Sequence, residues 1–223
     1  MTDKANQAGK SLTLHAVYLI ELREHALILV WLGYQRMKAQ NFALAEEDAI
    51  TGELIKEMKA VTEDTSSPPW VERYSVSEQV RSNAPGKLGK HRPIVDVELE
   101  QHRRGKRPRL RFEAKRLCKT SGVADYLGPE GLEAFLTSYY SRTESAAGML
   151  GYVQTQTERI WAGKLGAKLN APAYRIIKDG NWTHLNILSA SPHIYQTIHA
   201  DNESQQLFIF HTLLSFCAFL SER

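Results

Sequence analysis

Cysteine is scarce in this chain: two residues in 223, Cys118 and Cys217. They lie far apart and neither belongs to a Cys-x-x-Cys pair, which excludes a disulfide-stapled scaffold and a zinc ribbon. Each reads as a small buried hydrophobe. Long uninterrupted apolar stretches are missing as well. The most apolar early segment, residues 16–34, is broken by Glu21, Arg23, Glu24 and His25, so it reads as an amphipathic helix and not as a membrane span. A second apolar run from Leu207 contains His211 and reads as core. The opening MTDKANQAGKSLTLH places polar residues where a signal peptide needs apolar ones, so a reducing cytoplasm is the expected location, with no membrane partner. There is no glycine-rich phosphate loop ending in Gly-Lys-Ser/Thr and no Gly-x-Ser-x-Gly elbow. Nucleotide-powered work by this chain alone and esterase chemistry are therefore not expected.

What is present is an uneven distribution of charge. The formal net charge is only +3, yet between Lys87 and Arg116 there are 11 Lys or Arg against 4 Asp or Glu. A basic stretch of this kind suits a phosphate-rich partner. The length supports one α/β domain over 1–223: an N-terminal helix in 1–41, a helix and hairpin in 42–117, and helices with C-terminal strands in 118–223.

Apolar spacing over 12–38 predicts one long first helix, and Asn41 is a candidate cap for a second, running to about Ala60. Residues 62–70 and the stretch from Trp70 to Gly89 read as loop. PIVDVELE then alternates, with Val95, Val97 and Leu99 expected on one face and Ile94, Asp96 and Glu98 on the other. RLRFEAKRL resumes the alternation after the basic turn QHRRGKRP, with Leu110, Phe112 and Ala114 opposite Glu113 and Lys115. The two runs predict a β-hairpin that brings Asp96 near Glu113. Further on, the pattern predicts a helix from Pro129, a second over Ser145–Lys168, short strands within AYRIIK, WTHLNIL and LFIFHTLL, and a final helix over Leu213–Leu220.

Glu113 and Lys115 are two apart on a strand and so leave the same face. Carboxylates are hard oxygen ligands for Mg²⁺, the Ala114 carbonyl could add another, and a neighbouring lysine can position the attacking water or balance charge growing on a phosphate. Asp96 in IVDVELE followed by Glu113-Ala114-Lys115 in RFEAKRL resembles the PD-(D/E)XK restriction-endonuclease-like superfamily. The resemblance covers mainly residues 42–117. It implies a mixed sheet flanked by helices and hydrolysis of nucleic-acid phosphodiesters, DNA first, dependent on Mg²⁺ with Mn²⁺ as a substitute. It assigns Asp96, Glu113, Lys115 and Glu47 to catalysis and Asp96, Glu113, Ala114 and Glu47 to the metal. The acid supplied by the preceding helix is matched by Glu47, with Glu46, Asp48 and Glu53 as substitutes. The resemblance also suggests a restriction or antiviral-defence setting in a prokaryote, with a homodimer or a defence-system partner.

Phosphate contacts are expected from Lys87, Lys90, Arg92, Arg103, Arg104, Lys106, Arg107 and Arg109. The same charges allow a plainer arrangement, in which Asp96, Glu98, Glu100, Glu113 and Lys115 form cross-strand ion pairs on a wet sheet face. The functional alternative is then a catalytically inactive nucleic-acid-binding or assembly subunit; a third is an interaction subunit docked through the first helix. His184, His193, His199 and His211 match no compact zinc spacing, and His211 is expected in the core. Gln154 and His193 are candidates for substrate contact, while Tyr139, Tyr140 and Tyr152 read as packing residues.

Overall fold

A computed structural model describes residues 20–81, 89–103, 107–137, 145–171, 182–187, 193–200 and 206–217. Helix α1 occupies 20–36 of these. The strands are β1 (Tyr74–Arg81), β2 (Ile94–Gln101), β3 (Arg109–Leu117), β4 (Ala146–Val153), β5 (Thr183–His184), β6 (Ile194–Ala200) and β7 (Gln206–Ser215). The other helices are α2 (Glu47–Glu63), α3 (Val123–Leu127), α4 (Leu132–Leu136) and α5 (Glu158–Leu169). The strands form one mixed sheet in the order β1-β2-β3-β4-β7-β6-β5. Its first three strands are antiparallel, β3, β4 and β7 run parallel, and β7, β6 and β5 are antiparallel again. No helix among the described residues is long and apolar enough to cross a membrane.

Two cores cover the two faces. On one face, Leu22, Ala26 and Leu29 of α1 and Ile50, Leu54 and Met58 of α2 recur at helical spacing and pack on Leu99, Phe112, Leu150 and Leu214. On the other, α3, α4 and α5 contribute Tyr126, Phe135, Trp161 and Leu165 against Leu117, Met149, Ile209 and Leu213. The sequence run expected to be one helix over Ser145–Lys168 is instead β4, then α5. Every residue of β4 is buried, because a strand flanked by parallel neighbours is covered on both faces and loses its alternation. Its glycines fit that position: a Cβ on Gly148 would lie 2.1 Å from a Phe112 ring carbon, so the large aromatic of β3 requires the absent side chain of β4.

Other expectations are corrected in the same way. The stretch from Trp70 to Gly89, expected to be irregular, contains β1, whose only deeply buried side chains are Tyr74 and Val76. The expected helix from Leu213 begins as the end of β7. The helix expected to follow Asn41 starts at Glu47, after a short 3-10 turn at Ala39–Phe42. The expected helix from Pro129 is α4, starting at Leu132. AYRIIK lies outside the described residues, and WTHLNIL contributes only the two residues of β5.

The β2–β3 hairpin forms, but its two strands separate before they end. Their ladder runs from Glu100 opposite Arg109 to Val97 opposite Phe112 and stops there, while β3 continues to Leu117. On the other side of β2 the ladder skips the pair that would join Gln79 to Asp96, and Gln79 has φ 49°. Val95 accordingly packs in the core opposite to that of Val97 and Leu99, correcting the single-face expectation.

Candidate functional site

The separation of β2 from β3 leaves backbone N–H groups of β3 without a strand partner on that edge, and such groups must find other acceptors. Carboxylates supply them. The Ala114 N–H donates to Asp96 Oδ2 at 2.7 Å and the Arg116 N–H donates to Glu47 Oε2 at 3.0 Å. The N–H and C=O of one strand residue point to the same edge, so the Ala114 carbonyl faces the same gap. From the adjoining face, Lys115 Nζ donates to Glu47 Oε1 at 2.9 Å and to Glu113 Oε1 at 3.1 Å. Glu113 also lies close enough to act on the Asp96 carboxyl and oppose the rise of its pKa. One splayed strand edge thus gathers Asp96, Glu113, Lys115 and the first residue of α2.

Glu47 reaches this point because its surroundings hold the start of α2. Gln154, at the end of β4, donates its side-chain amide to the carbonyls of Phe42 and Ala45 at 2.9 and 2.8 Å. Arg116 pairs with Glu46 at 2.8 Å. The other upstream acids do different work: Glu53 pairs with Lys56 on the helix surface, and Asp48 acts on Asp96 only through its charge.

Burial sets the electrostatics. Desolvation raises the pKa of Asp96 against the opposing effects of the Ala114 N–H and Lys115, and it raises that of Glu47 against Lys115. Burial opposes the charge of Lys115, but Glu113, Glu47 and Asp96 outweigh it and raise its pKa. The lysine is therefore held as an ammonium. Raised pKa values on Asp96 and Glu47 mean that protons would compete with any cation held by these carboxyls in the range above ordinary carboxylates. Acidification through that range would displace such an ion, and raising the pH would favour it.

The donor set fits a hard divalent cation: carboxylate oxygens with one strand carbonyl beside them. As placed, however, no group of three or more His, Cys, Asp or Glu side chains among the described residues is disposed to hold a metal. The Lys115 ammonium and the β3 N–H groups occupy the carboxylate oxygens that an ion would recruit.

Two recesses of about 450 and 440 Å³ meet at this edge and share Lys115, Pro129 and Glu130. Their far wall is the α3–α4 turn, which adds Asp125, Glu130 and Glu133. The sequence pattern placed Glu130 and Glu133 only at a helix start; the crossover from β3 to β4 carries them over Glu113 and Lys115. No local motif signals that placement.

The remaining candidates are dispersed. Glu98 is buried against Arg111, Nε to Oε2 2.8 Å, and Glu100 accepts from Arg109 at 2.7 Å and Arg107 at 3.0 Å. The plainer cross-strand arrangement thus describes Glu98 and Glu100, and the basic residues Arg107 and Arg109 neutralise Glu100. Lys90 is exposed and Arg92 and Arg103 are half-buried, while Lys87, Arg104 and Lys106 lie outside the described residues, as do Tyr139 and Tyr140. Tyr152 packs, its hydroxyl 2.9 Å from Thr51 Oγ1. His211 is fully buried between Tyr126 and Thr197, and desolvation pushes its pKa well down. His199 shares Thr197 and is pushed down to about 4 by burial. His193 lies 3.5 Å from the Tyr195 hydroxyl.

No protein-family model, curated protein or solved structure matches this chain.

Proposed function

We propose that this protein is a divalent-metal-dependent nuclease of the PD-(D/E)XK type, acting on DNA in a restriction or antiviral-defence setting. The observation that carries the reading is the convergence of Asp96, Glu113, Lys115 and Glu47 on one splayed strand edge, with Asp96 and Glu47 bonded to successive outward N–H groups of β3. Isolated surface ion pairs need no such geometry. The mixed sheet with helices on both faces agrees with the fold that the resemblance implies.

Asp96, Glu113 and Glu47, with the Ala114 carbonyl, would hold Mg²⁺, or Mn²⁺ in its place. Bound there, the ion supplies Lewis acidity toward a phosphate oxygen and a water acidified for attack. Lys115 does its work as an ammonium: it orients Glu47 and Glu113 and balances negative charge that grows on the phosphorus centre. Lys90 and Arg92, just before β2 and close in sequence to Ile94 of the recess, offer cationic contact to the nucleic-acid backbone, and Arg103 does so from the far end of β2.

One observation favours a second reading. The carboxylates are already satisfied by Lys115 and backbone N–H groups, an arrangement that an inactive nucleic-acid-binding or assembly subunit could retain for stability alone. Incubating the purified protein with supercoiled, linear and single-stranded DNA in Mg²⁺ or Mn²⁺, with EDTA as control, separates the two. Metal-dependent cleavage abolished by EDTA is the expected result; intact DNA in every condition, with binding preserved, selects the inactive subunit.

A further inference from the structure

Beside the catalytic edge, beyond the turn that follows β3, lies a third recess of about 860 Å³. It opens at the carboxyl ends of the three parallel strands: Lys119 follows β3, Thr155 and Gln156 follow β4, and Cys217 follows β7. That is where open α/β sheets place their ligands. The remaining wall is the segment between α1 and α2, carrying Gln40, Asn41 and Leu44.

Leu44 is 95% exposed, well above the other exposed large hydrophobics, yet its backbone is fixed. Gln154 donates to the carbonyls of Phe42 and Ala45 on either side of it, the Ala45 N–H returns to Phe42 O at 3.1 Å, and Arg116 reaches Ala45 O. A fixed leucine projecting into water gains nothing from the fold itself. Gln156 is also constrained, at φ 62°, with Lys164 on its side-chain oxygen at 2.8 Å and the Cys217 thiol on its carbonyl at 3.0 Å. A non-glycine residue in the left-handed region, held there by its neighbours, is a pattern found at ligand sites.

We infer that this recess is a nucleobase subsite of the proposed nuclease: Leu44 packs on the face of an unpaired base, Gln40 and Asn41 hydrogen-bond its edge, and Lys119 contacts the adjoining phosphate. The inference rests on the nuclease reading and adds the substrate class. Side-chain amides present a donor and an acceptor together, which is what a base edge requires. An apolar contact buries the ring face, and a nearby cation meets the charge of the adjoining phosphate. Leu44 precedes Glu47 by three residues, on the order of 10 Å of extended chain, so a base seated here has its backbone within reach of the carboxylate edge. The preferred substrate is single-stranded or frayed nucleic acid, because a base inside a duplex must be unstacked before it can enter.

The test uses oligonucleotides with 2-aminopurine stepped through successive positions, bound in EDTA so that binding is read without cleavage, alongside cleavage of matched single and double strands in Mg²⁺. Wild-type protein is expected to brighten the probe at one position and to cut the single strand faster. Leu44→Ala should lose the bright position and weaken single-strand binding about tenfold, the scale of losing the apolar burial of most of one leucine side chain. Its thermal unfolding should stay unchanged, since the side chain is exposed; the Asn41→Ala variant should lose affinity in the same direction. A Leu44→Ala protein that binds, brightens and cuts like wild type overturns the subsite while leaving the nuclease reading intact. A wild-type protein that neither binds nor cuts any strand overturns both.

Discussion

Replacing Lys115 with alanine is expected to reduce single-turnover DNA cleavage by about 10²–10³-fold, the range for removing one group that stabilises charge developing in the transition state. The size follows from its place. Its side chain is only 12% exposed and its ammonium bridges Glu47 and Glu113, so its loss removes the side-chain cation that holds these two carboxylates together when a phosphate arrives. The variant should still bind Mn²⁺, since removal of a competing ammonium leaves the carboxylates in place. Glu53→Ala is the matched control: its partner is Lys56 on the surface of α2, and cleavage should remain at the wild-type rate. A Lys115→Ala protein cutting within threefold of wild type would contradict the assignment.

The second large effect is on stability and falls on a neighbouring acid. Glu98→Ala is expected to destabilise the fold by about 3 kcal/mol, because it removes the carboxylate of a buried ion pair from the Arg111 guanidinium. The two side chains are 8% and 10% exposed and joined at 2.8 Å. For a domain of this size the loss corresponds to a fall in Tm of roughly 6–12 °C, readable by calorimetry. Replacing the pair together, Glu98→Leu with Arg111→Met, should recover most of it, as exchange of a buried ion pair for packed hydrophobes commonly does. Below its unfolding transition the Glu98→Ala protein should cleave as wild type does. Loss of cleavage in a folded Glu98→Ala protein would mean that Glu98, not Asp96, serves the site.

These two variants divide what the sequence could and could not distinguish. Asp96 and Glu98 occupy the same expected face of one strand, and only the separation of β2 from β3 after Val97 assigns them different partners: the Ala114 N–H for Asp96, the Arg111 guanidinium for Glu98. The hairpin itself was legible because half-buried antiparallel strands keep their period of two. The central strand β4 was not, since burial on both faces erases that period and its glycines resemble helix weaknesses until Phe112 is seen above Gly148. Glu47 was reachable through the acidic run of α2, but the choice among four acids depends on Gln154 and Arg116 holding the segment before the helix. Asp125, Glu130 and Glu133 face the site through a crossover connection, a long-range placement that no local pattern encodes.

The central claim is that the splayed edge of β3 holds a divalent cation, and Mn²⁺ binding followed by electron paramagnetic resonance tests it most directly. The wild-type protein should take up Mn²⁺ near neutral pH, and Asp96→Asn and Glu113→Gln should each weaken uptake by at least about tenfold, the lower end of the loss on removing a metal-site ligand or its support. Equal Mn²⁺ affinity in wild type and both variants would show that these carboxylates serve Lys115 and the backbone alone.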